Sequence, residues 1–308
     1  MTLNLNAGFD TLNLHPPLEV MHLPAGDVWI QRDDLIHPVI SGNKWRKLVG
    51  HLAEMSAQGK RILVTYGGAY SNHLVATAVA AELSGVRCIG ILRGDEPLDN
   101  HYLRVARNAG MEVIGVSRSL YRDKLASLSW VLQSLGIEED AVYVVQEGGK
   151  GEYGFVGFEA VVAAWLNRSL KLEHVFHASA TATTAIGLRR AMDHVGMNAV
   201  IHAVMVLKNV EEQQQFAHEQ GASERLEFVS GYEFGGYAKS DAVLASFMEV
   251  VRTQNDGIPI DFVYTGKALF ALNEWLLFGI DSGVLRSDAA GVYPVVFLHT
   301  GGVLQMNG

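Results

Sequence analysis

Four short segments carry side chains whose chemistry is mutually consistent. Each falls where a strand gives way to a helix, so that backbone N–H groups and small residues can meet an anionic ligand. In Ser41-Gly42-Asn43-Lys44 a glycine turn enters a helix and leaves the Lys44 amine able to point back into a cleft; read alone, Lys44 is equally one more solvated base beside Arg46 and Lys47. In Gly67-Gly68-Ala69-Tyr70-Ser71-Asn72-His73 two glycines precede a hydroxyl and an amide, the composition of an anion-cradling helix start. By position, Asn72 also reads as a plain N-cap. Ala178-Ser179-Ala180-Thr181-Ala182-Thr183-Thr184 offers four hydroxyls among small side chains at another helix start, a setting that suits phosphate. Late in the chain, Tyr264-Thr265-Gly266-Lys267 and His299-Thr300-Gly301-Gly302 add a phenol and further hydroxyls.

Other motifs fall away. Gly149-Lys150-Gly151-Glu152-Tyr153-Gly154 fits a dinucleotide-binding glycine pattern, but the acidic residue that should end the next strand is missing: Ala178, Ser179 and Ala180 follow it. That segment reads as a glycine-rich connection. Gly266-Lys267 lacks the remainder of a P-loop, and His174 and His177, three apart on a strand, face opposite sides and make poor partners for one metal. A net charge of −9 opposes nucleic-acid binding, since the phosphate backbone demands a basic surface. No apolar run approaches the ~18 residues of a membrane span, and the N-terminus lacks the pattern of a signal peptide, so the expected location is the cytoplasm. The single cysteine, Cys88, lies in an apolar run and reads as a core residue.

The elements that must position these segments follow from periodicity. Hydrophobic residues make up 49% and charged residues 19%, enough to bury strands between layers. Short β-branched runs predict strands over 28–31, 62–65, 86–92, 112–116, 142–146, 175–177, 199–206 and 295–299. Amphipathic stretches predict helices over 44–58, 72–83, 100–108, 123–135, 155–166, 184–194, 210–219, 240–252 and 267–278. The alternation implies doubly wound α/β architecture with parallel sheets and ligands beyond the carboxyl ends of the strands. Glycine punctuation near 42 and 148–151 suggests two units, residues 45–147 inserted into a larger one made of 1–44 and 148–308, with a ligand cleft between them.

Taken in order, Arg32-Asp33-Asp34 with Gly42-Asn43-Lys44 and Arg46-Lys47-Leu48, Gly67-Gly68 with Ser71-Asn72-His73, Tyr264 with Gly266-Lys267, and His299-Thr300-Gly301-Gly302 resemble the fold-type II pyridoxal-phosphate enzymes. Within them the resemblance is to the group of D-cysteine desulfhydrase and 1-aminocyclopropane-1-carboxylate deaminase, and it covers most of the chain. It implies two doubly wound parallel-sheet domains like those of the tryptophan synthase β-subunit, pyridoxal 5'-phosphate in the interdomain cleft, and a homodimer acting on a small amino acid. Lys44 would hold the cofactor's aldehyde covalently and carry protons. Asn72 would bond the ring hydroxyl, and Ser179, Ala180, Thr181, Ala182, Thr183 and Thr184 would hold the phosphate. Thr265 and Thr300 would also touch the cofactor, while Ser71, Tyr264 and Tyr237 would face the substrate.

The resemblance also divides the group. The deaminase pattern has glutamate after the tyrosine of the fourth motif, whereas Thr265 stands here. A neutral hydroxyl suits the milder electron sink of β-elimination, so the implied reaction is D-cysteine to pyruvate, sulfide and ammonia. Cyclopropane ring opening, another small-amino-acid elimination or racemisation, and a ligand-binding relative without turnover are the alternatives. Two departures bear on the last of these. Alanine and threonine stand at 180, 182 and 183 where the family's phosphate loop is glycine-rich, which predicts strain at any step with positive φ, and Gly236-Tyr237-Ala238 replaces the family's Gly-Tyr-Gly.

Overall fold

In a computed structural model, residues 7–94, 99–236 and 238–302 are described. In chain order they form β1 (Leu18–Leu23), β2 (Gly26–Gln31), α1 (Asn43–Ala57), β3 (Ile62–Gly67), α2 (Asn72–Ser84), β4 (Arg87–Arg93), α3 (His101–Asn108), β5 (Met111–Val116), α4 (Arg118–Arg122), α5 (Lys124–Leu135) and β6 (Val142–Val145). There follow α6 (Glu159–Asn167), β7 (His174–Ser179), α7 (Thr183–His194), β8 (Val200–Met205), α8 (Val210–Glu219), β9 (Leu226–Val229), α9 (Ala242–Gln254), α10 (Thr265–Asp281) and β10 (Val292–Leu298).

The strands build two sheets, one of order β1-β2-β10-β7-β8-β9 and one of order β5-β4-β3-β6. Every pairing is parallel except the β1–β2 hairpin. Parallel sheets are covered on both faces, and the side-chain alternation shows how. On β10, Val296 and Leu298 pack with α6 and α7 through Val162, Trp165, Ile186 and Met192, while Val295 and Phe297 pack with α9 and α10 through Met248, Leu269 and Leu272. The smaller sheet repeats the scheme, with Leu63 and Cys88 against α1 and α2 and with Val64 and Ile89 against α5. Cys88 is buried, and burial pushes its thiol up to about 12, so it is an inert core residue.

Two strands depart from the periodicity reading. β1 and β9 occupy the two edges of the larger sheet, and of β9 only Leu226 is buried, so neither carries the continuous apolar run of an interior strand. The helix expected from 155 begins at Glu159 because 152–158 forms 3₁₀ turns pressed onto other backbone. A Cβ on Gly154 would lie 2.2 Å from the Gly149 carbonyl oxygen, and one on Gly157 would lie 2.1 Å from that of Arg46. Gly149 and Gly151 take φ of +73° and +116°. The glycines of this segment therefore serve close packing against α1, a different purpose from phosphate binding at a dinucleotide loop.

Candidate active site

The first turn of α1 is held by buried charge. Asp33, fully buried, accepts Arg46 Nε and Nη2 at 3.0 Å each, and its carbonyl accepts the Gly42 N–H at 2.8 Å, folding 33–42 back onto the helix. Arg32 grips Asp34 through two bonds of 2.9 and 2.8 Å. The Arg32-Asp33-Asp34 motif thus positions the chain around the site. Gly42 takes φ +62°, and a Cβ there would lie 2.0 Å from the Thr300 carbonyl carbon and oxygen. The start of α1 and the turn after β10 are consequently in direct backbone contact, and the Asn43 N–H donates to the Thr300 carbonyl at 3.3 Å.

Lys44 emerges from this junction. Its Nζ donates to Asn43 Oδ1 at 2.5 Å, and Asn43 Nδ2 donates in turn to Thr184 Oγ1 at 3.0 Å. The amine opens on a cavity of about 520 Å³ lined also by Lys47, Ser71, Asn72, Thr181, Tyr264 and Thr300. Burial lowers the Lys44 pKa to about 8, with the charge of Asp261 opposing that shift. Lys47, one helical turn on, donates to Thr181 Oγ1 at 3.4 Å. Burial first, then the charges of Lys44 and Lys150, hold Lys47 well below the usual lysine range. His73 completes this wall, its Nε2 bonded to Thr65 Oγ1 at 3.0 Å and its Nδ1 buried without a partner.

Ser71, rather than Asn72, caps α2: its Oγ accepts the Leu74 N–H at 3.2 Å. The Asn72 side chain is thereby left to line the cavity. Ala180 and Thr181 also line it, whereas Ser179, Ala182, Thr183 and Thr184 form a supporting layer. Ser179 Oγ donates to the Thr181 carbonyl at 3.1 Å, and the Ala182 N–H donates to Gln213 Oε1 at 2.8 Å. None of 180–184 takes a positive φ, so alanine and threonine sit there without the strain expected of a glycine-type loop. Thr265 is fully buried behind the lining, its Oγ1 donating to the Gly301 carbonyl at 3.2 Å. Tyr237 lies outside the described residues.

Asn43, Lys47 and His73 line the cavity but were quoted from sequence only as parts of motifs, without a role of their own, and Arg93, Glu147 and Leu207 were not singled out. The signal for Lys47 was its spacing, since residues i and i+3 share a helix face with Lys44. A different cavity of about 540 Å³ at Glu19, His22, Arg32 and 254–259 contains, of the residues singled out from sequence, Arg32 alone. There Arg32 is already committed to Asp34 and Glu19, so no free cation awaits an anion.

The Lys44 cavity is the opposite case. Among the described residues neither Lys44 nor Lys47 has a carboxylate at ion-pair distance. Uncompensated buried cations are costly, and an anionic ligand removes the cost. Lys47, Thr181 and the start of α7 would hold a phosphate and Lys44 would meet an aldehyde, so the residues present fit pyridoxal phosphate.

Comparison with known proteins agrees. The chain is 28% identical over 296 residues to a putative 1-aminocyclopropane-1-carboxylate deaminase of Pyrococcus horikoshii, covering 91% of this chain and 85% of the relative. It is 28% identical over 306 residues to the D-cysteine desulfhydrase of Salmonella paratyphi A, covering 91% and 88%. The crystal structure of an ACC deaminase homologue superposes with a TM-score of 0.77 at 27% identity, covering 98% of this chain and 96% of that one. Residues 14–300 match the pyridoxal-phosphate dependent enzyme family as a whole, and the chain belongs to that family.

Proposed function

We propose that this protein is a lyase that converts D-cysteine and one water to pyruvate, hydrogen sulfide and ammonia. The observation that carries the reading is the pair of buried amines, Lys44 and Lys47, sharing one cavity without carboxylate partners. When bound, pyridoxal phosphate supplies an electron sink that acidifies the substrate's α-hydrogen. Lys44 would hold the cofactor and carry the proton at Cα, and a pKa of about 8 would leave a useful neutral fraction for that task. Lys47, Thr181 and the first N–H groups of α7 hold the phosphate end, with Ser179, Ala180, Ala182, Thr183 and Thr184 shaping that turn. Asn72 meets the ring hydroxyl, and Ser71 meets the substrate carboxylate. Tyr264 and Tyr237 flank the β-substituent, and Thr300 backs the cofactor.

Thr265 supports elimination of a thiolate over opening of a cyclopropane, because a neutral hydroxyl already donated to a carbonyl does not sustain a strongly protonated ring. The similarity to a relative named as a putative deaminase favours ring opening as the second reading. The unstrained backbone at 180–184 counts against a relative without turnover, although Ala238 takes φ +52° where the family has glycine. As part of the same proposal, residues 45–147 form the inserted domain between 1–44 and 148–308, and the protein acts as a cytoplasmic homodimer, which light scattering reads as twice the 33.6 kDa chain mass.

The deciding experiment is the absorbance spectrum of the protein with pyridoxal phosphate, before and after D-cysteine, alongside sulfide release. A yellow protein whose spectrum responds to D-cysteine as sulfide appears supports the assignment. Release of 2-oxobutyrate from the cyclopropane substrate, with no sulfide from D-cysteine, replaces it with the deaminase. A protein that stays colourless with added cofactor overturns both.

A further inference from the structure

We propose that Asp261 is a positioning residue of this site, its buried carboxylate fixing the Tyr264–Thr265 wall through three backbone N–H groups and standing behind Gly302 at the wall of the cavity into which the Lys44 amine opens. The inference rests on the reading of Lys44 as the reactive amine. Asp261 is 3% exposed and precedes α10. Its Oδ1 accepts the N–H groups of Val263 at 2.9 Å and Tyr264 at 2.7 Å, and its Oδ2 accepts that of Thr265 at 3.0 Å. These donors have no acceptor within the helix, and a carboxylate is the group best suited to a helix start. One side chain therefore sets the backbone of both residues that the fourth motif contributes.

The same carboxylate reaches the cavity wall. Gly302 lines the cavity at φ +92°, and a Cβ there would lie 2.7 Å from Asp261 Oδ2, so only bare glycine backbone fits between them. The other ionisable groups lining the cavity around Lys44 are Lys47 on its own helix, Tyr70, His73 from α2, Arg93, Glu147 and Tyr264. Glu147 is already paired with Lys124 at 3.1 Å, and none of the remaining groups is a carboxylate. Asp261 is left as the carboxylate to offset the amine, and its charge opposes the effect of burial on Lys44.

The test follows the amine without requiring turnover. Trace labelling of cofactor-free protein with acetic anhydride, mapped to Lys44 by peptide mass, gives a rate that rises with pH as the neutral amine forms. Removing a neighbouring negative charge disfavours the protonated amine, so D261N moves the midpoint down by roughly one unit or more, while D261E, which keeps the charge, leaves it near the wild-type position. A folded D261N with an unmoved midpoint overturns the proposal. Should the variants fail to fold, carbon NMR of wild-type Asp261 decides: an inflection of its carboxyl shift at the Lys44 midpoint supports the pairing, and its absence overturns it. Borohydride fixation of pyridoxal phosphate on wild-type Lys44 is read separately. No adduct defeats the functional reading, whereas an adduct with an unmoved D261N midpoint defeats only the role given to Asp261.

Discussion

Lys44 and Lys47 face one cavity, yet burial and mutual repulsion make different demands on them. Lys44, lowered to about 8, is mostly protonated at pH 7 and gains nucleophilic character as pH rises, so capture of pyridoxal phosphate should accelerate between pH 7 and 9 and then level. Lys44→Ala should abolish both borohydride-fixed adduct and exchange of the substrate α-hydrogen with deuterated water, with the circular-dichroism spectrum unchanged; persistent exchange would remove Lys44 from its role. Lys47→Met deletes a charge-assisted contact worth about 1.5–3 kcal/mol, which predicts roughly ten- to hundredfold weaker cofactor retention by equilibrium dialysis. Sequence singled out Lys44 only through the resemblance of four motifs in order, since its own segment reads equally as a solvated base. Lys47 escaped because a base beside another base on an amphipathic helix ordinarily faces solvent, and only the packed fold shows that this one does not.

At the scale of elements, the site is made by ends: the starts of α1, α2, α7 and α10 and the turn after β10. Those starts were legible because glycine, serine and threonine clusters interrupt apolar runs, whereas the edge strands β1 and β9 were not, because half-exposed strands lack such runs. The start of α10 was placed two residues late, at Lys267 instead of Thr265, since its cap comes from Asp261, too far upstream to read as an adjacent N-cap. Backbone contact between Gly42 and Thr300 gives the sharpest mutational expectation. Gly42→Ala adds a methyl into a carbonyl at 2.0 Å and demands a left-handed φ of a β-carbon, a combination expected to cost about 3 kcal/mol or more. Urea denaturation should show the lower midpoint, together with looser cofactor binding because Asn43 and Thr300 move apart.

At the scale of the whole molecule, buried neutral histidines couple stability to acidity. Burial lowers His177 to about 4 and His202 to about 3, with Glu227 Oε2 at 3.0 Å from His202 Nδ1 opposing the second shift. In the unfolded chain these rings titrate near 6.5, so below that pH the unfolded state binds protons that the folded state refuses. Their contribution is complete above pH 6.5 and declines as pH falls toward 4, by an amount on the order of a few kcal/mol. Unfolding free energies measured between pH 7.5 and 4.5 should fall accordingly; a flat profile would show that these rings accept protons without opening the fold. No helix among the described residues is long and apolar enough to cross a membrane. The sheet order carries a consequence for biosynthesis. β10 lies between β2 and β7, and Thr300, Gly301 and Gly302 just beyond it close the cavity. A nascent polypeptide stalled on the ribosome before Val292 has an unfilled slot at the middle of its larger sheet and no wall behind its reactive amine. If Lys44 takes up the vitamin-derived aldehyde as proposed, a chain ending before Val292 should form no borohydride-fixed adduct.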